Sequence, residues 1–411
     1  MSLHSIGQGE NFYVISVIGM DQVGIVSKVT QFLFTKGYNI LDVEQSVIHS
    51  QFTMVLLVQP IQPHVQPAGL RTGLSGLAGK LKMSITMIPL QEYKGLRLAE
   101  DKKPYLLTIL GPDRPGIVAA LSSALAEHRC NIERIKMIAR GELLAMEMWI
   151  DLRDANFSVL KVDLSEVAKR IGMDIVVQPE SSFKKRKKVV VFDMDSTIVD
   201  GEMIDEMARL AGVGEKVSFL TEKGMRGEID FEESLRTRVS YLRKLKVKDL
   251  EAFAKTIKLT QGGEELIGAL KEMGFKIALI SGGFSYFTDI LKERLGFDYA
   301  FGNELEIENG RLTGKVKGKV IDAQRKAEIM DELCCREGIT RDEVVAIGDG
   351  SNDRIMVANA GLGIAFNAKE ILKKVADGAI TKEHMKGVLY CLGISDMDLK
   401  GMGKRIGEIG R

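Results

Sequence analysis

Three consecutive valines, Val189 to Val191, and then Phe192 form a short apolar run that breaks off at Asp193. A run of this length ended by polar residues reads as a buried strand feeding a loop. From there onward, short β-rich runs alternate with stretches of helical spacing. Strands are expected at Val189 to Phe192, Lys276 to Ile280, Glu343 to Ile347 and Leu362 to Ala365. That alternation predicts an α/β fold with a mainly parallel sheet between helices, its active site at the carboxyl ends of the strands. Three of the strands run into polar turns, two of them glycine-bearing: Asp193 to Thr197, Ser281-Gly282-Gly283, and Gly348 to Asp353. Folding alone does not explain three such turns at one sheet edge.

The first 180 residues follow another rhythm, and it occurs twice. Gly19-Met20-Asp21-Gln22-Val23-Gly24-Ile25-Val26 returns as Gly111-Pro112-Asp113-Arg114-Pro115-Gly116-Ile117-Val118, and Asn39-Ile40 returns as Asn131-Ile132, both at an offset of 92 positions. In each copy a strand (Phe12 to Ile18; Tyr105 to Leu110) enters a Gly/Asp turn. A helix then begins near Gly24 or Gly116, with apolar residues at helical spacing: Val26, Val29, Phe32 and Leu33, then Val118, Leu121, Ala124 and Leu125. A strand pair follows (around Val43 to Val58; Ile132 to Ile150), then a helix and a last strand (Met83 to Ile88; Met173 to Val177). The βαββαβ order predicts a four-stranded antiparallel sheet with helices on one face, the ferredoxin-like arrangement. Ser181 to Lys188, with five basic residues in a row, is expected to be a solvated connector to the second half.

Composition narrows the class without choosing the chemistry. At 411 residues, two or three domains are expected. A formal net charge of +1 provides no overall field for nucleic acid or an anionic membrane, and the basic run lacks interleaved aromatics. No apolar run approaches the roughly 18 residues that span a bilayer. Met1 to Glu10 is polar and lacks the apolar stretch of a signal peptide. Cys130, Cys334, Cys335 and Cys391 show neither metal-ligand spacing nor a disulfide framework, which favours buried thiols and a reducing cytoplasm. The five histidines are scattered, which argues against zinc.

The chemistry gathers in Phe192-Asp193-Met194-Asp195-Ser196-Thr197. Two carboxylates spaced i, i+2 at the end of a buried strand repel each other, so a cation should neutralise them or one should hold a proton. A hard divalent cation such as Mg²⁺ meets that need, and a phosphoryl substrate gives a reason for its presence.

Two resemblances follow from these motifs. The repeated unit resembles the ACT domain, a small amino-acid-binding module, with copies placed at residues 10–92 and 103–180. The second copy, with its Asp113-Arg114-Pro115-Gly116 turn, matches better; Gln22-Val23 replace Arg-Pro in the first. The resemblance implies that an amino-acid effector, serine being the expected one, binds near Asp21, Gly24 and Asn39, and near Asp113, Gly116 and Asn131. It also implies a homodimer, because ACT-like sheets often pair edge to edge.

The second half resembles the haloacid-dehalogenase superfamily of phosphatases over residues 188–398, a Rossmann-like domain with a helical cap at about 203–270. The resemblance rests on DMDST, ISGGF, Lys326 in Gln324-Arg325-Lys326-Ala327, and GDGSND, in that order. It is nearest to the members that hydrolyse O-phospho-L-serine. It implies that Asp193 is the nucleophile that becomes an aspartyl-phosphate, and that Asp195 is the general acid and base. Aspartate at position 195 separates this pattern from phosphorylating ATPases, which resemble it but carry threonine there. Mg²⁺ is expected on the Asp193 carboxylate, the Asp195 backbone carbonyl and Asp349, with Asp353 orienting a water or Lys326. Ser281 and Gly282 would receive the phosphate at a helix start, and Lys326 would meet its developing charge. Glu202 and Arg238 align with positions that hold the ammonium and carboxylate of an amino acid, Met225 and Phe231 with an apolar wall, and Asn352 with a substrate contact. The same motifs would serve a phosphotransferase passing phosphate to another alcohol such as homoserine. An amino-acid sensor with a vestigial phosphatase half is the reading from a different class.

Overall fold

The computed structural model describes residues 12–62, 67–90, 102–141, 143–225, 229–381 and 384–399, without the side chains of 222–225. The Met1 to Glu10 segment therefore lies outside the described residues. The chain divides into two compact units, Met1–Lys102 and Lys103–Arg411.

The first unit runs β1 (Tyr13–Met20), α1 (Ile25–Thr35), β2 (Tyr38–Ile48), β3 (Gln51–Pro60), α2 (Pro67–Leu81) and β4 (Ser84–Pro89). Its strands form one antiparallel sheet in the order β2-β3-β1-β4. Period-2 alternation sends Ile15, Val17, Met54, Leu56 and Val58 to one face, where they bury against Val29 and Leu33 of α1 and Leu70 and Leu74 of α2. Gly24, at φ 95°, turns the chain into α1, a conformation that costs glycine nothing.

The second unit repeats the pattern with β5 (Pro104–Gly111), α3 (Ile117–Glu127), β6 (Asn131–Ala139), β7 (Leu144–Asp151), α4 (Phe157–Ile171) and β8 (Asp174–Pro179). This copy is not a freestanding sheet. Strand β8 pairs through Val176 with Gly378 of β15 (Gly378–Ile380), so an eleven-stranded sheet runs through the whole unit. Asp174 accepts from the Thr381 amide and hydroxyl at 2.7 and 2.6 Å, and Gln178 donates to the Cys391 carbonyl at 3.0 Å. Leu110 is fully buried, whereas Ile18, its counterpart in the first copy, is 45% exposed.

The basic run is solvated, as its charge suggests, at Lys184, Lys185, Arg186 and Lys188, but not at Lys187. Glu180–Lys184 forms a short helix, α5, and Lys187 is buried, its ammonium donating to the carbonyls of Ser182 and Asp342 at 2.8 Å each. Lys185 pairs with Asp342, and Lys188 with Glu343. A lysine stem is apolar enough to be buried when carbonyls meet its head.

In the catalytic part, β9 (Val189–Phe192) lies between β10 (Lys276–Phe284) and β13 (Val344–Gly348), parallel to both. The full order is β12-β11-β10-β9-β13-β14-β15-β8-β5-β7-β6, where β11 is Tyr299–Glu308, β12 Arg311–Lys317 and β14 Leu362–Phe366. Phe192 is level with Leu279 and Ile347, so the three polar turns open at one height. Between β9 and β10, α6 (Met203–Leu210), α7 (Gly214–Met225), α8 (Phe231–Tyr241) and α9 (Val247–Ala254) form the helical insertion, and α10 (Gly263–Glu272) leads back to the sheet. Helices α11 (Ser285–Leu295) and α12 (Ala323–Glu337) follow β10 and β12.

Candidate active site

Strand β9 is apolar on both faces, as a central parallel strand must be, and it delivers Asp193 where the ladder ends. The Asp193 amide still donates to the Ile347 carbonyl at 2.9 Å, which holds the start of the loop to β13. Beneath it lies Lys326 of α12, fully buried, with its ammonium 2.5 Å from Asp193 Oδ1 and 2.6 Å from Asp353 Oδ1. The second Asp353 oxygen accepts from the amides of Asp349 and Gly350 at 3.2 and 3.0 Å. Gly348 makes this possible, since a Cβ there would lie 2.4 Å from Asp353 Cγ.

Asp193, Asp349 and Asp353 each bring a carboxylate oxygen within 4.8 Å of the others, a group that could hold a metal ion. Lys326 pairs with two of these three acids, Asp193 and Asp353, and the charge of Lys369 acts on Asp349. Among the described residues, the buried Asp349 carboxylate accepts no hydrogen bond. Burial, with Asp193 and Asp353 adding to it, pushes its pKa up to about 9. Burial, followed by the Asp353 charge, raises Asp193 to about 7 against the pull of Lys326. Burial opposes the charge on Lys326, but the two carboxylates outweigh it and keep the ammonium protonated. Buried carboxylates in excess of cations, with hard oxygen donors and one oxygen pair unused, form a site that a divalent ion suits.

Asp195 reaches the same cavity by a tight turn in which Ser196, at φ 57°, donates its amide to the Gly201 carbonyl. Its Oδ1 accepts from the Met203 amide at 2.8 Å, and the Ser281 hydroxyl points at its Oδ2 from 3.5 Å. Burial first, then Glu202 and Asp193, raise its pKa well above the ordinary carboxylate range. Gly283 donates to Ser281 Oγ at 2.8 Å.

The cavity is lined by Asp193, Asp195 and Asp349, by Gly282, Gly283 and Asn352 of the other two turns, and by Glu202, Phe231 and Arg238 of the segment that carries the helical insertion. Glu202 leaves the start of α6 uncapped and instead accepts from the Ser196 hydroxyl at 3.1 Å. Arg238 is 9% exposed and, among the described residues, donates only to the Ser234 carbonyl and the Thr221 hydroxyl, at 3.3 and 3.4 Å. Burial lowers its pKa despite the nearby Glu202, Asp205 and Asp195. A guanidinium has five N–H donors, so several are left for a ligand.

Several expectations need adjusting. Ser281 and Lys326 are fully buried beneath the cavity, so what faces it from the middle turn is Gly282, Gly283 and Phe284. The strand carries on through this turn to Phe284, and α11 begins only at Ser285, so Ser281 and Gly282 do not sit at the helix start. The side chain of Met225 lies outside the described residues. Five lining residues, Ile204, Thr221, Ser234, Leu235 and Lys369, were not singled out by the sequence. Thr221 lies in a helix without a motif, and Lys369 follows β14, whose turn carries none.

The ACT candidates do not meet within a copy. Asp21 and Gly24 follow the end of β1, level with Gln51, whereas Asn39 is level with Gln59. At about 3.4 Å per residue, roughly 27 Å of sheet separates them. Asp113 and Gly116 lie beyond the Gly111–Leu144 end, and Asn131 lies opposite Asp151. Strands β1 and β2 both pair with β3 and so run the same way, which puts their starts, not one start and one end, side by side. Asp113 is also engaged by Arg140 at 2.8 Å.

Residues 187–361 match the haloacid dehalogenase-like hydrolase family, and residues 11–87 and 103–178 match the ACT domain. Fold and family thus define a phosphoric monoester hydrolase. The chain is 53% identical to the phosphoserine phosphatase of Archaeoglobus fulgidus, over 77% of this chain and 90% of that one. It is 32% identical to the Streptomyces coelicolor phosphoserine phosphatase over 97% and 96% of the two chains. A crystal structure of a probable phosphoserine phosphatase from Vibrio cholerae superimposes with a TM-score of 0.55 at 32% identity, over 74% of this chain and 91% of that one. The chain belongs to the phosphoserine phosphatase family of haloacid dehalogenase-like hydrolases.

Proposed function

We propose that the chain hydrolyses O-phospho-L-serine to L-serine and phosphate, with Mg²⁺ as cofactor. One cavity carries this reading. It brings the Asp193, Asp195 and Asp349 carboxylates and the opposed charges of Glu202 and Arg238 around one space. That set of charges suits a zwitterion bearing a phosphate.

Asp193 and Asp349, with the Asp195 main-chain carbonyl, would hold Mg²⁺, which when bound supplies positive charge beside the phosphate. Asp193 Oδ attacks phosphorus while the bond from phosphorus to the serine oxygen breaks, leaving an aspartyl-phosphate. Asp195, whose surroundings favour the protonated form, gives its proton to the departing oxygen. It then takes a proton from the water that attacks the same phosphorus, and Asp193 is regenerated. Lys326, fixed by Asp353, keeps positive charge under the nucleophile throughout. Arg238 grips the substrate carboxylate and Glu202 its ammonium.

The ACT copies support amino-acid regulation, with Asp21, Gly24, Asn39, Asp113, Gly116 and Asn131 as the candidate effector residues. Edge strands β2 and β6 leave ladders open for a homodimer. The four free cysteines fit a reducing cytoplasm, and among the described residues no helix is long and apolar enough to cross a membrane. A phosphate-release assay across phosphoserine, phosphothreonine and sugar phosphates tests the function, with Asp193→Asn expected to abolish turnover. Full activity in that variant would overturn the assigned nucleophile. The same assay with serine added should change the rate, and no response at any concentration would remove serine as effector.

A further inference from the structure

Ser281, Gly282 and Gly283 leave the sheet for a definite reason. Strand β10 pairs with β11 at Ile280–Phe301 and again at Phe284–Asn303, so three residues on one strand face Gly302 alone on the other. The excess is thrown out as a bulge toward the cavity. Gly302 permits this, because a Cβ there would lie 2.5 Å from the Ser285 amide nitrogen. A bulge loses its ladder bonds and needs another anchor.

Asn303 supplies that anchor. It is 2% exposed, its Nδ2 donates to the Gly282 carbonyl at 2.8 Å, and its Oδ1 accepts from the Ile321 amide at 2.8 Å. One partner needs a donor and the other an acceptor, so a carboxamide satisfies both and a carboxylate cannot. The Gly282–Gly283 peptide is thereby held at both ends, since its N–H donates to Ser281 Oγ, which points at Asp195. The other arm reaches α12. Ile321 precedes Asp322, whose side chain caps the helix at the Arg325 amide and whose carbonyl accepts from the Lys326 amide.

We propose that Asn303 is a positioning residue that locks the bulge to the first turn of α12, fixing Ser281 and Gly282 relative to Lys326. It touches neither the nucleophile nor the cavity. The inference rests on the reading that this bulge receives the substrate phosphate.

The test is Asn303→Asp in the full-length, Mg²⁺-loaded enzyme. This variant keeps the acceptor for Ile321 and turns an oxygen against the Gly282 carbonyl. The kcat for phosphoserine should fall about tenfold or more, as for reacting groups displaced by a fraction of an ångström. Competitive inhibition by inorganic phosphate should weaken severalfold. The competitive component of inhibition by L-alanine, a zwitterion without phosphate, should stay within about twofold. A kcat within twofold of wild type would overturn the proposal. So would phosphate and alanine inhibition weakening in parallel, the signature of general loosening. If Asn303→Asp does not fold, Asn303→Ser, which removes the anchor without adding charge, is judged by the same outcomes. Wild-type protein that releases no phosphate would overturn the substrate reading and this inference with it. Active wild type with an unimpaired variant overturns this inference alone.

Discussion

Gly283→Ala puts the smallest possible side chain into a crowded part of the cavity. The added Cβ would lie 2.7 Å from Asp195 Oδ2, 3.0 Å from Ser281 Oγ and 3.1 Å from Met194 Cε. Ordinary contact begins near 3.4 Å, so the Asp195 oxygen must retreat by about 0.7 Å. It has little freedom to do so, because its other oxygen is bonded to the Met203 amide at 2.8 Å. Overpacking of this kind costs about 1–3 kcal/mol of stability. The larger effect should fall on chemistry, since a displacement approaching 1 Å in a reacting group can cost about a hundredfold in rate. The prediction is a kcat for phosphoserine reduced about ten- to a hundredfold, with the Tm lowered by only a few degrees. Phosphate release under saturating substrate and a thermal melt of the same sample are the assays. A Gly283→Ala enzyme whose kcat stays within twofold of wild type would refute the claim that this contact fixes Asp195.

Two further outcomes follow from charge. Arg238→Ala should raise the KM for phosphoserine about ten- to a hundredfold, the worth of hydrogen bonds to a charged group, while leaving inhibition by inorganic phosphate unchanged; equal loss of both would place Arg238 on the phosphate. Asp193 and Asp349 are raised from 3.8 to about 7 and about 9, so the metal-free fold retains protons that the unfolded chain has lost, and its stability should fall as pH climbs through that window. Mg²⁺ replaces those protons, so the Tm gained on adding it should be larger at about pH 8.5 than at about pH 5.5; a gain that is independent of pH would contradict the assigned pair.

Much of the site could be read before any coordinates, because its residues sit at strand ends where local rules are strict. A buried valine run that stops at Asp193, glycines that admit close approach, and two carboxylates too near to coexist uncompensated are all local facts. The 92-residue repeat is equally local, and it suffices for two βαββαβ units. Other features depended on which distant surface came to lie alongside. Ile18 and Leu110 occupy the same position in their repeats, yet only the second is buried, because the distant segment around Gly387 packs onto it. Lys187 reads as solvated until the Asp342 carbonyl is brought to it. Asn303 reads as an ordinary strand residue until a bulge and a helix start are placed on either side of its amide. Pattern along the chain determines which segments become strands, helices and turns, since those preferences act over a few residues. The partners of a buried polar group are chosen by packing across the whole domain, and only the tertiary structure decides them.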